Sequence, residues 1–304
     1  MPLFSINNNK LEKVRKTDFK LERDLQIITE DNLDEIFGLE LVKSEFQINN
    51  LRIDSLAFDN ESNSFVIIEY KRGANFSVID QGYAYLALLL NNKAEFILEY
   101  NERMDTNLRR DDVDWSQSRV VFVAPQFTTY QRKAIEFKDM AFELWEVSKY
   151  DNDIILYNEI KSPETSDSIT TVSKQNKVIK DVVKEVKKYN EEDHLQKAGE
   201  EVLELYEEIK ERILEFDSLE MDPKKVYIAF KAGTNVMDIR FARNHLTAWI
   251  NMRQGTLEDP KKITRDVSAV SHNGNGDYEL KIQPGDDLNY LMYLVGQSYK
   301  KNSS

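Results

Sequence analysis

Hydrophobic and polar positions between Asp18 and Phe37 follow the period of an α-helix. Between Asp18 and Phe37, Leu21, Leu25 and Ile28 fall on one stripe, and Gly38 follows as a stop signal. The sequence therefore predicts a helix here.

The period then changes to that of short strands. The predicted strands are Glu45–Ile48, Leu51–Phe58 and Phe65–Lys71. Asn49-Asn50 and Asp59–Asn63 supply turn residues between them. An antiparallel meander is the simplest arrangement of strands joined by such short turns.

Helices and strands alternate over the rest of this region, which predicts a mixed sheet with helices over residues 1–160. The further predicted elements are a helix at Ser77–Asn91, strands at Ala94–Glu99 and Arg119–Ala124, a helix at Thr128–Phe137, and strands at Ala141–Val147 and Ile154–Ile160.

A composition change separates this region from the rest of the chain. Lys161–Lys177 is rich in Ser and Thr and lacks an apolar period, so residues 161–196 are predicted to be a linker followed by a charged helix. A smaller α+β domain is predicted over residues 197–304. Its predicted elements are helices at Ala198–Phe216 and Asp286–Tyr299 and strands at Lys225–Lys231, Val236–Phe241, Leu246–Asn251 and Tyr278–Ile282.

Composition narrows the class of protein. Of 304 residues, 41% are hydrophobic and 31% charged, which excludes a largely disordered chain. The longest apolar run, Ala84–Leu90, is too short to span a bilayer, and no secretory signal is expected. Cysteine is absent, which fits a cytoplasmic protein. The net charge of −13 argues against a broad basic surface for nucleic acid, although it allows a local basic groove.

Opposite charges stand at the end of the third predicted strand, in FVIIEYKRG. The strand is apolar on both faces up to Glu69, as in a central strand, and alternation places Glu69 and Lys71 on one face. Pairing of this strand with the preceding one would bring Asp54 beside Glu69. Two adjacent carboxylates repel each other unless a divalent cation lies between them, and a nearby lysine can orient or activate a water.

The spacing from Asp54 to Glu69-Tyr70-Lys71 resembles that of the PD-(D/E)XK nuclease superfamily, over about residues 18–160. The order helix, three strands, helix, strand is similar to the family core. Position 53 is Ile, where the name-giving motif has Pro. The resemblance implies an α/β (α+β) fold with a restriction-endonuclease-like mixed sheet flanked by helices.

The resemblance extends to the helices on either side of the meander. LERDLQ offers Glu22 as the acidic residue of the preceding helix, with Glu35 in reserve, and IDQGYAYL offers Gln81 and Tyr85 in the following one. By resemblance, Asp54, Glu69 and Glu22 would bind Mg²⁺ or Mn²⁺, Lys71 would position the attacking water, and Gln81 would align the substrate or the lysine.

The implied activity is metal-dependent hydrolysis of phosphodiester bonds in nucleic acid, with DNA as the expected substrate, in restriction, repair or defence. Cutting both strands would need two active sites, so a homodimer is expected. The nearest candidates for phosphate contacts are Arg72, Arg109, Arg110, Arg132 and Lys133. The alternative is a nuclease-fold protein that binds nucleic acid or a protein partner without cleaving it.

Each of these residues also has a purely structural interpretation. Glu69 and Lys71 could form an exposed ion pair at a strand end, and Asp54 could cap a turn. Glu22 and Gln81 could be ordinary polar residues on helix surfaces.

The C-terminal region, from KVYIAFKAGTNVMDIRF to LNYLMYLVGQSY, resembles a DUF5655 domain, which implies a recognition or assembly role. Its histidines lack zinc-ligand spacing, and HNGNGD at 272–277 is expected to be a tight turn rather than a phosphate loop. Aromatic residues could be core or could stack on bases, and arginines could contact phosphate: Phe230, Phe241, Trp249 and Tyr278, and Arg240, Arg243, Arg253 and Arg265.

Overall fold

The computed structural model describes residues 3–49, 51–73, 77–134, 140–161, 177–270 and 272–302. The chain forms two compact units, Met1–Lys188 and Tyr189–Ser304. Residues 162–176, most of the predicted linker, lie outside the described ranges. No helix within these ranges combines the length and the apolar character needed to cross a membrane.

The first unit contains a mixed sheet with helices on both faces. Its elements are β1 (Leu3–Asn7), β2 (Lys10–Val14), β3 (Lys16–Thr17), α1 (Glu22–Glu30), α2 (Leu33–Phe37), β4 (Glu40–Ile48), β5 (Leu51–Asp59), β6 (Ser64–Tyr70), α3 (Val78–Asn91), α4 (Lys93–Met104), β7 (Arg119–Ala124), α5 (Thr129–Ala134), β8 (Phe142–Tyr150), β9 (Ile155–Glu159) and α6 (Lys177–Glu185).

The strand order of this sheet is β3-β8-β7-β6-β5-β4, with β9 paired to β8. β4, β5 and β6 form the predicted antiparallel meander, whereas β6, β7 and β8 run parallel. β6 is therefore central, and every residue in it is buried, as the double-sided apolar pattern predicts. The predicted fold class, a mixed sheet flanked by helices, is confirmed.

Alternating residues of β5 and β6 supply two hydrophobic layers. Leu56 and Ile67 pack with α3, α4 and α6 on one face, whereas Ala57 and Ile68 pack with α1 and α2 on the other. α3 approaches the sheet closely, since a Cβ at Gly82 would lie 2.6 Å from the Phe142 ring. A glycine at position 82 thus permits the packing that brings α3 to the end of β6.

Two predictions for this unit need correction, and one hairpin was not predicted. Ala94–Glu99 is not a strand but part of α4, where Phe96 and Tyr100, four residues apart, are buried on one helical face. The predicted helix at Asp18–Phe37 is divided into α1 and α2. The β1–β2 hairpin was not predicted, since its exposed positions give it no clear apolar face.

The charged helix after the linker belongs to the first unit. Val182, in α6, and Val186, just after it, are buried against α3 and its neighbours, and Glu185 forms an ion pair of 2.6 Å with Lys93. Of the helix predicted at Thr128–Phe137, the structure describes only α5; residues 135–139 lie outside the described ranges.

The second unit is a six-stranded antiparallel sheet with two long helices on one face. The strand order is β10-β11-β12-β13-β15-β14. The elements are α7 (Glu192–Leu195), α8 (Glu200–Ile213), β10 (Glu220–Pro223), β11 (Ile228–Ala232), β12 (Thr234–Ala242), β13 (His245–Ile250), β14 (Arg265–Asp266), β15 (Tyr278–Ile282) and α9 (Leu288–Asn302).

The core of this unit lies between the sheet and α8 and α9, and it includes Phe230, Phe241 and Tyr278. The HNGNGD segment is a loop before β15. In it, Gly276 has φ +93°, and a Cβ there would lie 2.2 Å from the carbonyl oxygen of Ile250. The loop thus requires glycine for close backbone packing.

Candidate active site

The pairing of β5 with β6 opens at the end of the two strands. The ladder runs from Asp59↔Ser64 to Ser55↔Ile68 and stops there. The backbone N–H of Tyr70 then donates to Oδ2 of Asp54 at 3.0 Å. The carboxylate of Asp54 thus accepts a hydrogen bond that a backbone carbonyl oxygen would accept in a continuous ladder.

On its other side, β6 stays paired one residue further, because the N–H of Lys71 donates to the carbonyl oxygen of Val123 on β7 at 2.9 Å. The gap at this end therefore lies between β5 and β6, where Asp54 and Glu69 stand. Register continued from Ser55↔Ile68 would place these two residues opposite each other, and they lie near enough for the charge of Glu69 to raise the pKa of Asp54.

Glu69 is the centre of a hydrogen-bond network although only 3% of its surface is exposed. Its Oε1 forms an ion pair with Nζ of Lys71 and accepts a hydrogen bond of 2.7 Å from Gln81. Its Oε2 accepts a bond of 2.8 Å from the hydroxyl of Tyr85. The structure thus brings predicted residues of β6 and α3 together around one carboxylate.

Asp54 is electrostatically strained by this environment. Burial and the negative charge of Glu69 raise the pKa of Asp54 to about 6, against the hydrogen bond from Tyr70 and the positive charge of Lys71. Burial and Glu69 also raise the pKa of the Tyr85 hydroxyl, which keeps its proton and donates a hydrogen bond to the carboxylate. Oδ1 of Asp54 accepts no hydrogen bond from the residues that the structure describes.

Glu22 lies at the same end of the sheet, although it does not join the two carboxylates. It is the first residue of α1, it is exposed, and its Oε2 accepts a hydrogen bond of 2.7 Å from the backbone N–H of Arg72. Glu22 therefore holds the segment that follows Lys71. Glu35 is exposed on α2.

The sequence did not identify Gln26, a residue of α1 that contacts the backbone of Asp54. Its side-chain amide is buried in α1 and donates to the backbone carbonyl of Asp54 at 3.0 Å, and it also contacts Glu30. No local signal identified it, because Gln26 lies one residue away from Leu25 of the predicted apolar stripe and is buried only by the packing of α1 on the sheet. Tyr85, quoted only as a family feature, proves to be a direct partner of Glu69.

The basic residues are distributed over both ends of the sheet. Arg72 is exposed directly after Lys71. Arg132 lies in α5, which follows the end of β7 at the same end of the sheet as Lys71, and it forms an ion pair with Glu146 at 2.5 Å. Arg109 and Arg110 precede β7, whose beginning lies beside the beginning of β6, so they lie toward the opposite end from Lys71. The structure does not bring these two arginines to Glu69.

The donor set suits a hard divalent cation. Asp54 and Glu69 offer carboxylate oxygens, which Mg²⁺ and Mn²⁺ prefer, and all three histidines lie in the second unit. Within the described ranges, no group of three or more His, Cys, Asp or Glu side chains is placed to hold a metal ion. A cation here would therefore take two protein carboxylates, with water and substrate oxygens completing its ligand shell.

Comparison with known proteins identifies the second unit and one full-length relative. Residues 191–302 match the family model "Domain of unknown function (DUF5655)", which confirms the resemblance predicted for the C-terminal region. An "Uncharacterized protein" of Haemophilus influenzae is 46% identical over 301 residues, which cover 99% of this chain and 100% of the relative.

Solved structures similar to this chain match only part of it. The "crystal structure of a repair endonuclease from Pyrococcus abyssi" is 19% identical, with a TM-score of 0.24, over 40% of this chain and 45% of that one. The "Structure of EndoMS-dsDNA2 complex" is 19% identical, with a TM-score of 0.25, over 48% and 60%. The chain thus spans less than two thirds of each, and at these TM-scores the likeness carries no argument.

Proposed function

We propose that this chain, which belongs to the same family as the Haemophilus influenzae protein, is a metal-dependent nuclease of the PD-(D/E)XK type. It would hydrolyse phosphodiester bonds in nucleic acid, with DNA as the expected substrate, in restriction, repair or defence. Two copies would act together if both strands are cut.

One observation carries this proposal: two carboxylates and a lysine converge where the β5–β6 ladder opens. Asp54 has a raised pKa and an oxygen without a hydrogen bond, beside the buried Glu69, which holds Lys71. A solvated ion pair at a strand end would not need Gln81 and Tyr85 to hold the carboxylate in place. Perturbed, convergent groups of this kind are typical of functional sites.

The side chains have separable roles in such a reaction. Asp54 and Glu69 would hold Mg²⁺ or Mn²⁺, and the bound ion would polarise the phosphodiester and lower the pKa of a coordinated water. Lys71, paired with Glu69, would position an attacking water or a phosphate oxygen through its ammonium group. Gln81 and Tyr85 fix the rotamer of Glu69, and Glu22 fixes the backbone that follows the lysine.

A second function is favoured by the hydrogen bonds that Glu69 already accepts within the protein. Both of its oxygens accept hydrogen bonds, and the described residues contain no three-carboxylate group. These observations fit a protein that binds nucleic acid or a protein partner through a nuclease fold without cleaving it.

Calorimetric titration with Mg²⁺ and Mn²⁺ separates the two functions, followed by cleavage of plasmid DNA and labelled DNA and RNA. The nuclease predicts metal binding and cleavage in the native chain, and loss of both in Asp54→Asn and Glu69→Gln. The matched control is Glu95→Gln, an exposed carboxylate in α4, which should behave as the native chain does.

Absence of metal binding at millimolar concentration, with no cleavage of any substrate, would reject the nuclease and favour the binding protein. Cleavage that survives in both site variants would reject the assigned residues.

A further inference from the structure

In the sheet of the second unit, α8 and α9 cover one face. The opposite, outer face carries polar and charged side chains. Cross-strand register on the outer face places Arg240 of β12 opposite Thr247 of β13, and Thr247 opposite Lys281 of β15. His245, two residues before Thr247, is a diagonal neighbour of both basic residues. Diagonal neighbours lie about 7–8 Å apart, so the three residues form one cluster around Thr247.

Among the residues that the structure describes, Arg240, His245 and Lys281 form no ion pair and no side-chain hydrogen bond. Burial and the positive charges of Lys281 and Arg240 lower the pKa of His245, which favours its neutral form. Such a cluster is unexpected in a chain of net charge −13.

The neighbouring acids of the sheet are already engaged. Glu279 pairs with Arg265 at 3.4 Å, and Asp222 pairs with Lys231 at 2.8 Å and with Lys224 at 3.0 Å. Asp238, two residues before Arg240, is fully buried and accepts hydrogen bonds from Asn275. The three basic side chains therefore remain available to an external anion.

Two further features make the cluster suitable for binding an anion. The guanidinium of Arg240 lies 5.3 Å from the centre of the Trp249 ring, which orients it while its N–H donors stay unused. Thr247 lies between Arg240 and Lys281 with only 6% of its surface exposed, and its hydroxyl has no hydrogen-bond partner in the described part of the chain. This hydroxyl is therefore able to donate a hydrogen bond to a bound oxygen.

We propose that Arg240, His245, Thr247 and Lys281 form a phosphate-binding surface that contacts the sugar–phosphate backbone of nucleic acid. The choice of nucleic acid as the anion rests on the proposed function of the first unit.

The surface would contact backbone rather than bases. Arg240 and Lys281 are two strands apart, about 10 Å between backbones, so they can reach successive phosphates of a polymer. Trp249, the aromatic residue beneath them, is 1% exposed and offers no ring face for stacking on a base. We therefore expect binding that depends strongly on salt and weakly on sequence.

The test measures binding of the full chain, in EDTA, to a labelled DNA duplex by fluorescence anisotropy over a range of salt concentrations. The double variant Arg240→Gln/Lys281→Gln should bind about tenfold or more weakly at low salt, and the slope of log affinity against log salt should be shallower by about two. The matched control, Lys231→Gln/Arg265→Gln, removes the same charges from ion-paired positions of the same sheet and should keep the native slope.

Unfolding midpoints check each variant, and Lys281→Gln alone, at an exposed position, replaces the double variant if that variant fails to fold; its slope should be shallower by about one. Equal binding by the test and control variants would overturn the proposal. Binding of labelled polyglutamate, but not of DNA, with the same dependence on Lys281 would assign the surface to an acidic polypeptide and also overturn it.

The result is separable from that of the nuclease proposal, because EDTA removes the chemistry. A native chain that cleaves DNA while the variants bind normally contradicts only this surface. A native chain that never cleaves, but loses DNA binding in the double variant, contradicts only the nuclease.

Discussion

Each unit buries a carboxylate in its sheet, and the two carboxylates are held by different kinds of donor. Glu69 of the first unit is contacted by the side chains of Lys71, Gln81 and Tyr85. A second acid, Asp54, lies close enough for its pKa to be raised by the charge of Glu69.

Asp238 of the second unit is fully buried and is held largely by a loop. It accepts hydrogen bonds from the backbone N–H and side-chain amide of Asn275 and from the amide of Asn235. The glycines at 274 and 276 allow this loop to pack against β13.

The difference separates a structural acid from a candidate functional one. Asp238 accepts hydrogen bonds from a backbone N–H and from side-chain amides that the fold holds in place. Substitution of this carboxylate should therefore lower the stability of the fold. A carboxylate held by an ammonium and a phenol beside a second acid is costly to bury, and such unfavourable arrangements persist at functional sites. The predictions below test this contrast, from the largest expected effect to the smallest.

Lys71→Met should lower the rate of DNA cleavage by about 10³-fold with DNA binding retained, because the variant keeps the apolar stem and loses the group proposed to position the water. Single-turnover cleavage and anisotropy measure the two effects. Lys43→Met removes another Lys–Glu ion pair of the first unit, with Glu99 at 2.9 Å, and should leave cleavage unchanged. A Lys71 variant that cuts at the native rate would remove this residue from the reaction.

Asp238→Ala should lower the free energy of unfolding of the second unit by about 3 kcal/mol, because it removes the fully buried carboxylate that accepts hydrogen bonds from Asn275 and Asn235. Urea denaturation followed by tryptophan fluorescence measures it. Glu69→Gln should lower stability by a smaller amount, about 1 kcal/mol, because a single amide oxygen still accepts hydrogen bonds in place of two carboxylate oxygens. Equal costs for the two variants would contradict the contrast.

Asp54→Asn should stabilise the metal-free chain by about 1–2 kcal/mol above pH 6. The folded-state pKa of Asp54, about 6, lies above its ordinary value of 3.8, so ionisation is less favourable in the folded protein than in the unfolded one. The native chain therefore loses stability relative to the variant as the pH rises from about 4 through 6, and below about pH 4 the gain disappears.

Thermal unfolding in EDTA across this pH range is the appropriate measurement. A variant less stable than the native chain at pH 8 would show that Asp54 is a structural acid like Asp238.

Tyr85→Phe should lower the cleavage rate about tenfold, because Glu69 loses a hydrogen bond of 2.8 Å and with it part of its fixed orientation. Tyr206→Phe is the matched variant in the second unit, where the phenol donates to Glu191 at 2.6 Å. It should cost about 1 kcal/mol of stability with unchanged cleavage. Equal kinetics for the two variants would deny Tyr85 a positioning role.

Much of the site was predictable, because its residues belong to local patterns. Strand alternation places Glu69 and Lys71 on one face, and the short turn at Asp59–Asn63 fixes the register that brings Asp54 opposite Glu69. The site contacts that depend on helix packing were harder to foresee. The hydrogen bond from Gln26 to the carbonyl of Asp54 requires the position of α1 over β5, which no local period encodes.

The sequence by itself determined the β4–β5–β6 meander, the double-sided burial of β6 and the two charged residues at its end, because side-chain periodicity and turn chemistry act over a few residues. Only the tertiary structure decided that Ala94–Glu99 is helical, that Arg109 and Arg110 lie toward the far end of the sheet, and that Arg240 and Lys281 meet around Thr247. These outcomes depend on register and packing between segments distant in sequence, where burial of a whole face outweighs local preference.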